Sequence, residues 1–561
     1  LECRGSLMFD LVAMVGEQLN FYAQFVGNEG FVDFARSSIG LNGLASERGL
    51  LLSDSNSTTV VTLYCSIEAS SDNNLGPDLD SIVEIAEGTT VTGLSGQVAQ
   101  LLQTVTFNPA VDIPVSTSFS ADGSRSLIYN YEKTAIAVIG EIRTLVTDVL
   151  SPDHFIRIKI PDISCTETID VFDTAGNRYY ETPNLLVDTV LVPFPYRNAD
   201  DNTISTREVN FPAPRRFMVE EDPTGQKSLV FGYGSEDTLD KTINHPVLPI
   251  NQATRRRARN GTNERIILPE KHFGAGKYGI PPKNTTLTIR YRVNTVDNSN
   301  IPVGALDRFL EPIVVFAMDD KLTPSRKEFI INNLSCMNKE PANGLVRFRS
   351  TKEIAMTIKA ASGAQGRAVT SKDLTAMCYN MPPRLGRIKK AAVFRDTDGL
   401  RKNLNVYVIS EDADQNLQKA NSVLKENLRT HLDSVKMMTD SIDIFDAEVL
   451  NVGLYLDVVL HERENKNNAL PQIREFLFNQ FTQVVPEIGQ PFSKGEVERI
   501  LNLMPIIKRV NRIQIRVKNG EGYSSTSYDI APNTTEDGLV LMPENFIWEL
   551  KNPTDIIGII K

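Results

Sequence analysis

Apolar and polar residues follow three successive rhythms along this chain. Over Phe9–Phe25, Val12, Val15, Leu19, Tyr22 and Phe25 recur at steps of three and four, the period of one helix face. Phe31, Phe34, Ala35, Ile39, Leu41 and Leu44 carry an apolar segment on to Leu50. Residues 1–52 therefore read as an N-terminal helical segment. Its apolar faces need a cover, from the body of this chain or from helices of another subunit.

From Thr58 the rhythm becomes alternation. Val60–Ile67, Leu79–Thr92 with a turn at Glu87-Gly88, Phe155–Ile160 and Thr168–Phe172 read as strands. The last runs through a turn at Thr174–Asn177 into Arg178–Glu181. Ala135–Leu150 reads as a helix interrupting them. Residues 53–240 are thus a β-rich, sandwich- or barrel-like region, and 241–365 a linker plus mixed β region.

The third rhythm mixes both periods. Thr370 is placed to cap a helix ending near Tyr379, before Pro382-Pro383. Strands are expected at Ile388–Phe394 and Leu404–Ile409, then a long helix through Leu417, Ala420, Leu424 and Leu428. Leu450–Leu460 alternates as a strand, Leu470–Val484 reads as a helix, Ser493-x-x-Glu496 as a capping box and Val510–Val517 as a strand. Residues 366–561 form an α+β domain with helix faces and strand edges suited to self-association. The fold class is α+β multidomain: N-terminal helices, a β-rich sandwich-like middle and a C-terminal α+β domain. Ser371…Met381-Pro382…Arg387-Ile388 echoes Ser493…Met504-Pro505…Arg512-Ile513, either as related half-units or as the shared grammar of helix, stop and strand.

Composition narrows the function classes. A chain of 561 residues with 41% apolar and 23% charged residues is ordinary folded protein of several domains. Net charge of −11 argues against general nucleic-acid binding. Arg255–Arg259 runs against that sign, in a polar stretch that reads as a solvated or partner-facing loop. No apolar run is long enough for a membrane span. The sequence starts at Leu1 without a leader and reads as a piece of a longer chain. Its 5 cysteines are scattered, without a CxxC pair, and read as reduced buried thiols.

Candidate chemistry is sparse. Gly274-x-Gly276-x-x-Gly279 has the spacing of a dinucleotide fingerprint, which must open a helix. Pro281-Pro282 and the alternating Leu287, Ile289, Tyr291 and Val293 follow instead. The glycines therefore mark a structural loop leading into a strand. His154, His245, His272, His431 and His461 lack metal or triad spacing, and Asp319-Asp320 and Glu220-Glu221-Asp222 read as acidic loops. No catalytic, cofactor-binding or metal-binding residue is assigned. The candidate partner-binding residues are Val12, Val15, Leu19, Tyr22 and Phe25.

Five segments carry a family resemblance: Gly16–Leu19 with Asn28-Glu29 and Ala35; Val171–Glu181; Phe273–Gly279 with Ile289–Val293; Ala368–Leu374; and Leu404–Val408 with Ile488–Gln490 and Ile500. In order and spacing the chain resembles the baseplate J-like family of contractile tails, and within it the wedge-core subunits of T-even-like phages. Phe231-Gly232-x-Gly234 repeats the glycine signature, which leaves two alignments of the third segment open. The resemblance implies a non-enzymatic virion protein of the tail baseplate, assembled in the host cytoplasm. It implies a homodimer that closes into a ring around the hub and relays the change that triggers sheath contraction. Its implied partners are itself, other wedge subunits, and hub or sheath-proximal proteins, with no cofactor. A receptor- or carbohydrate-binding tail protein, a tail enzyme, and the equivalent part of a tailocin-like injection system are the alternatives.

Overall fold

The computed structural model describes residues 2–47, 50, 52, 54–70, 76–93, 96–119, 126–150, 155–182, 184–195, 206–222, 224–232, 278–294, 299–346, 350–364, 367–396, 403–437, 439–461, 466–520 and 522–560. The chain is α+β and multidomain, with a β-rich middle. Two compact units divide it. The chain leaves the first at Gly140, forms the second from Glu141 to Val293, and re-enters the first at Asn294.

The first unit begins with helix α1 (Glu2–Glu29) and helix α2 (Ser38–Glu47). A β-sandwich follows. Strand Thr58–Glu68 lies between Ser126–Ile139 and Ser335–Asn338, and the sheet extends through Val98–Leu101 and Thr90–Thr92 to Arg308–Glu311. Alternation in Thr58–Glu68 sends Val61, Leu63, Cys65 and Ile67 inward. They share a core with Val83, Ile85, Val105 and Phe107 of a three-stranded sheet, and with Ile330 of helix α3 (Pro324–Asn332).

Two sequence expectations fail in this region and its successor. Ala135–Leu150 is not a helix: it is the end of Ser126–Ile139 and the whole of Glu141–Val149. Ala135, Ala137 and Ile139 point inward as alternate residues, in register with Val61 and Thr59 across the ladder. Gly140, at φ 136, separates the strands in a conformation a helix interior excludes. Glu220 and Glu221 are not in a loop but close strand Arg216–Glu221, and Glu221 is buried. Asp319 and Asp320 open a short 3-10 turn, where Asp319 pairs with Lys327.

The second unit is a seven-stranded sheet in the order Glu141–Val149, Thr285–Val293, Cys165–Asp173, Arg178–Glu181, Arg216–Glu221, Lys227–Phe231, Arg157–Lys159. The expected turn is present: Gly176 takes φ 80, and the Asp173 carboxylate accepts from the amides of Ala175 and Asn177. Arg292 is buried, and its Nε donates to Glu167 at 2.7 Å.

Back in the first unit, helix α4 (Thr351–Ala364) leads to helix α5 (Ser371–Tyr379). Thr370 and Asp373 close a capping box on α5. Strands Lys390–Arg395 and Leu404–Glu411 pair antiparallel, and Ile442–Asp446 joins the second in parallel after helix α6 (Ser422–Val435). Helix α6 starts later than its apolar rhythm implies. Leu417 lies on a two-residue strand, and Asn421 caps the helix by accepting from the amide of Leu424 at 2.8 Å. The last core surrounds Glu448–Leu460, flanked by Ile507–Val517, Phe546–Glu549 and Ile556–Ile560. Helix α7 (Lys466–Thr482) and helix α8 (Lys494–Asn502) pack on it, the latter capped by Ser493.

Buried polar contacts join these parts. Lys389 Nζ lies 3.2 Å from Glu353 and 3.1 Å from Glu411, all three side chains being buried. Asn300 Nδ2 donates to the carbonyls of Leu345 and Glu411. Such buried groups must stay paired, which fixes one arrangement of α4, the sandwich and the Lys390–Glu411 hairpin.

Candidate interaction surface on the N-terminal helix

Helix α1 has 28 residues, about 42 Å at 1.5 Å per residue. From residue 13 to residue 28 every side chain is exposed. Val15 is 48% exposed, Leu19 64%, Tyr22 62% and Phe25 38%. The four expected residues with described side chains are therefore brought onto one uncovered surface. Val12 lies in the helix, but its side chain is outside the described residues.

The structure adds residues that the three-four rhythm left out. Met14, Phe21 and Val26 are also large, apolar and exposed. Phe21 stacks on Phe25 with ring centroids 6.3 Å apart and meets Tyr22 edge-on at 6.0 Å. At about 100° per residue these seven side chains span roughly half the helix circumference. Glu17, Asn20, Gln24 and Asn28 fall on the other half. The missed signal was density: one stripe accounts for five apolar residues, whereas Val12–Val26 holds eight large ones.

The base of the helix is tied down. Glu29 Oε1 accepts from the amides of Arg36 and Ser37 at 2.9 and 3.1 Å. Those amides precede helix α2, so the carboxylate sits where a helix N-terminus favours negative charge. Leu41 and Ala45 of α2 pack with Leu50 and with Ile358 of α4, and Lys359 pairs with Asp33.

Elsewhere the candidate groups stay apart. Cys65, Cys336 and Cys378 have thiols pushed up to about 12 by burial, and Cys165 to about 11. Such thiols stay protonated and unreactive at neutral pH. Burial lowers the His431 pKa, and its Nε2 lies 3.2 Å from the Met377 carbonyl, a packing role. His461 is exposed, while His154, His245, His272, Arg255–Arg259, Gly274 and Gly276 lie outside the described residues. Gly279 takes φ 85, and a Cβ there would sit 2.8 Å from Arg216 Cγ. A Cβ on Gly232 would overlap the Tyr278 carbonyl. Both glycines permit close approach of backbone segments ahead of strand Thr285–Val293.

Among the described residues no group of three or more His, Cys, Asp or Glu is placed to hold a metal ion. Among the described residues no helix is long and apolar enough to cross a membrane. A cavity of about 600 Å³ lies between the Asp414–Leu417 turn, the end of α7 and Trp548. Trp548 is 7% exposed and meets Phe492 edge-on at 4.8 Å, so its ring face is packed rather than presented.

No protein-family model and no curated protein matches the sequence. Among solved structures, 90% of the chain aligns with 77% of a chain of the anti-feeding prophage baseplate, 6-fold symmetrised, at 8% identity and a TM-score of 0.26. A further 8% match, at a TM-score of 0.20, joins 78% of this chain to 96% of a chain of the type VI secretion system TssK-TssF-TssG baseplate subcomplex. Both neighbours are baseplate structures, and TM-scores this low do not establish a shared fold.

Proposed function

We propose that this chain is a structural subunit of a contractile-tail baseplate wedge, working through assembly rather than catalysis. In this reading it dimerises, joins other wedge subunits into a ring around the hub, and relays the change that releases sheath contraction. Its place is the virion tail baseplate, after assembly in the host cytoplasm. The class comes from the resemblance of the five sequence segments. The observation that supports an assembly role is α1, with Val15, Leu19, Tyr22 and Phe25 exposed beside Met14, Phe21 and Val26. An apolar half-helix of this size is stable in water only when another surface covers it.

Light scattering and negative-stain imaging of the purified chain test the reading. Dimers or arcs are expected. Leu19→Asp or Phe25→Asp should abolish them while leaving the body folded. A monomer that clears cell walls in a turbidity assay, or that titrates with a nucleotide, would replace it with an enzyme.

A further inference from the structure

Strand Ile507–Val517 is an edge: it pairs antiparallel with Glu448–Leu460 on one side only. It has 11 residues, and the Ile507 amide, at its start, donates to the Met504 carbonyl at 3.2 Å; beyond that, among the described residues, no backbone hydrogen bond ties Lys508–Val517 to anything but its ladder partner. Lys508, Arg509, Arg512 and Arg516 are exposed along it, over about 27 Å of extended backbone. No described carboxylate lies within ion-pair distance of these four cations. The one across the ladder, Asp457, accepts from Asn511 Nδ2, and Arg516 lies 5.0 Å over the Tyr455 ring.

Other edges carry fewer such charges: Lys159 and Arg395 are single exposed cations without an ion pair among the described residues, and the rest are matched. Arg143, on the edge strand Glu141–Val149, pairs with Glu141 and Asp162. Arg157, on the edge strand Arg157–Lys159, pairs with Glu220, and Arg308, on Arg308–Glu311, with Asp307. A single charge is enough to deter edge-to-edge aggregation. Four uncompensated charges of one sign, in a protein of net charge −11, exceed that need. Two copies of this edge repel each other, and an acidic strand is attracted.

We propose that Ile507–Val517 is a docking edge for an extended acidic segment of a different polypeptide, which adds to the sheet as a further strand. Backbone pairing supplies the register, and alternate carboxylates of the incoming segment meet Arg509, Arg512 and Arg516. The register shifts at Asp457/Val458 and Val459/Leu460 twist the Lys508 end of the strand. Pairing is therefore strongest over Arg512–Val517. This surface is separate from α1, so its test does not depend on the assembly role.

The probe is a fluorescein-labelled twelve-residue peptide of alternating Glu and Thr, titrated into the full chain and followed by anisotropy. Binding is expected, weakening at least tenfold in 0.5 M salt and at least tenfold with Arg509→Glu/Arg512→Glu. An equal loss is expected for the same peptide carrying a central proline, which blocks strand pairing. Arg512→Gln, with one exposed charge removed, provides a second variant should the double reversal fail to fold, and a severalfold loss is expected. The proposal is overturned by absence of binding, by equal binding of the proline peptide, or by indifference to the Arg substitutions. Tighter binding of a twelve-nucleotide single strand would also overturn it and make the edge a phosphate-binding surface.

Discussion

Helices α1 and α6 share a rhythm and differ in cover. In α6, Leu424, Leu428 and Leu432 are buried in one core with Leu374, Met377, Cys378, Val406 and Val408, and Val423 is buried too. In α1, Val15, Leu19, Tyr22 and Phe25 of the corresponding stripe stay exposed. Steps of three and four specify a helix and a face. What lies opposite that face is decided by residues far along the chain, or on another chain. An internal stripe therefore contributes to folding, whereas on the proposed function an uncovered one contributes to association.

Substitutions can break this contrast. Leu428→Ala should destabilise the chain by about 2–5 kcal/mol, because it empties a packed site, as a denaturant midpoint shift would show. Asn421→Ala should follow at roughly 1–2 kcal/mol, by loss of a helix cap. It also strips the amide that donates to the carbonyls of Thr58 and Pro341. The pH dependence of α6 is smaller. Burial lowers the His431 pKa from 6.5, so below that value the unfolded chain takes up the proton first. Stability from this group is complete above pH 6.5 and falls on acidification toward the folded-state value. His431→Gln should flatten that acid-side decline in denaturation midpoints measured across the pH series. Leu19→Asp in α1 should change unfolding by no more than about 0.5 kcal/mol while removing association by light scattering. A loss as large as that of Leu428→Ala would place α1 against its own chain and end the contrast.

Much of the fold was legible residue by residue. The alternation in Val60–Ile67 and Leu450–Leu460 and the caps at Thr370 and Ser493 are all present. Each is a local signal, written within a few residues. Ala135–Leu150 was misread because alanine, leucine and valine fit either period over a short window. Only its pairing with Thr58–Glu68 and Thr285–Val293 decides the matter. The α1 stripe was legible, whereas the roles of Phe21 and Glu29 were not. Phe21 lies off a three-four pattern, and Glu29 acts through amides seven and eight residues away. The unpaired charge of Ile507–Val517 was hidden too, since which cations lie along an edge without a carboxylate shows only in the fold.

Glu29 fixes the end of α1 to the start of α2. A helix joined through a slack loop can swing without consequence for the body that carries it. Here one carboxylate clamps the last turn of α1 to the start of α2, whose far side rests on Ile358 of α4. Helix α4 in turn holds Glu353 against Lys389 at the margin of the hairpin sheet. On the proposed assembly role, a pull on the outer end of α1 would reach the strands through these contacts in series.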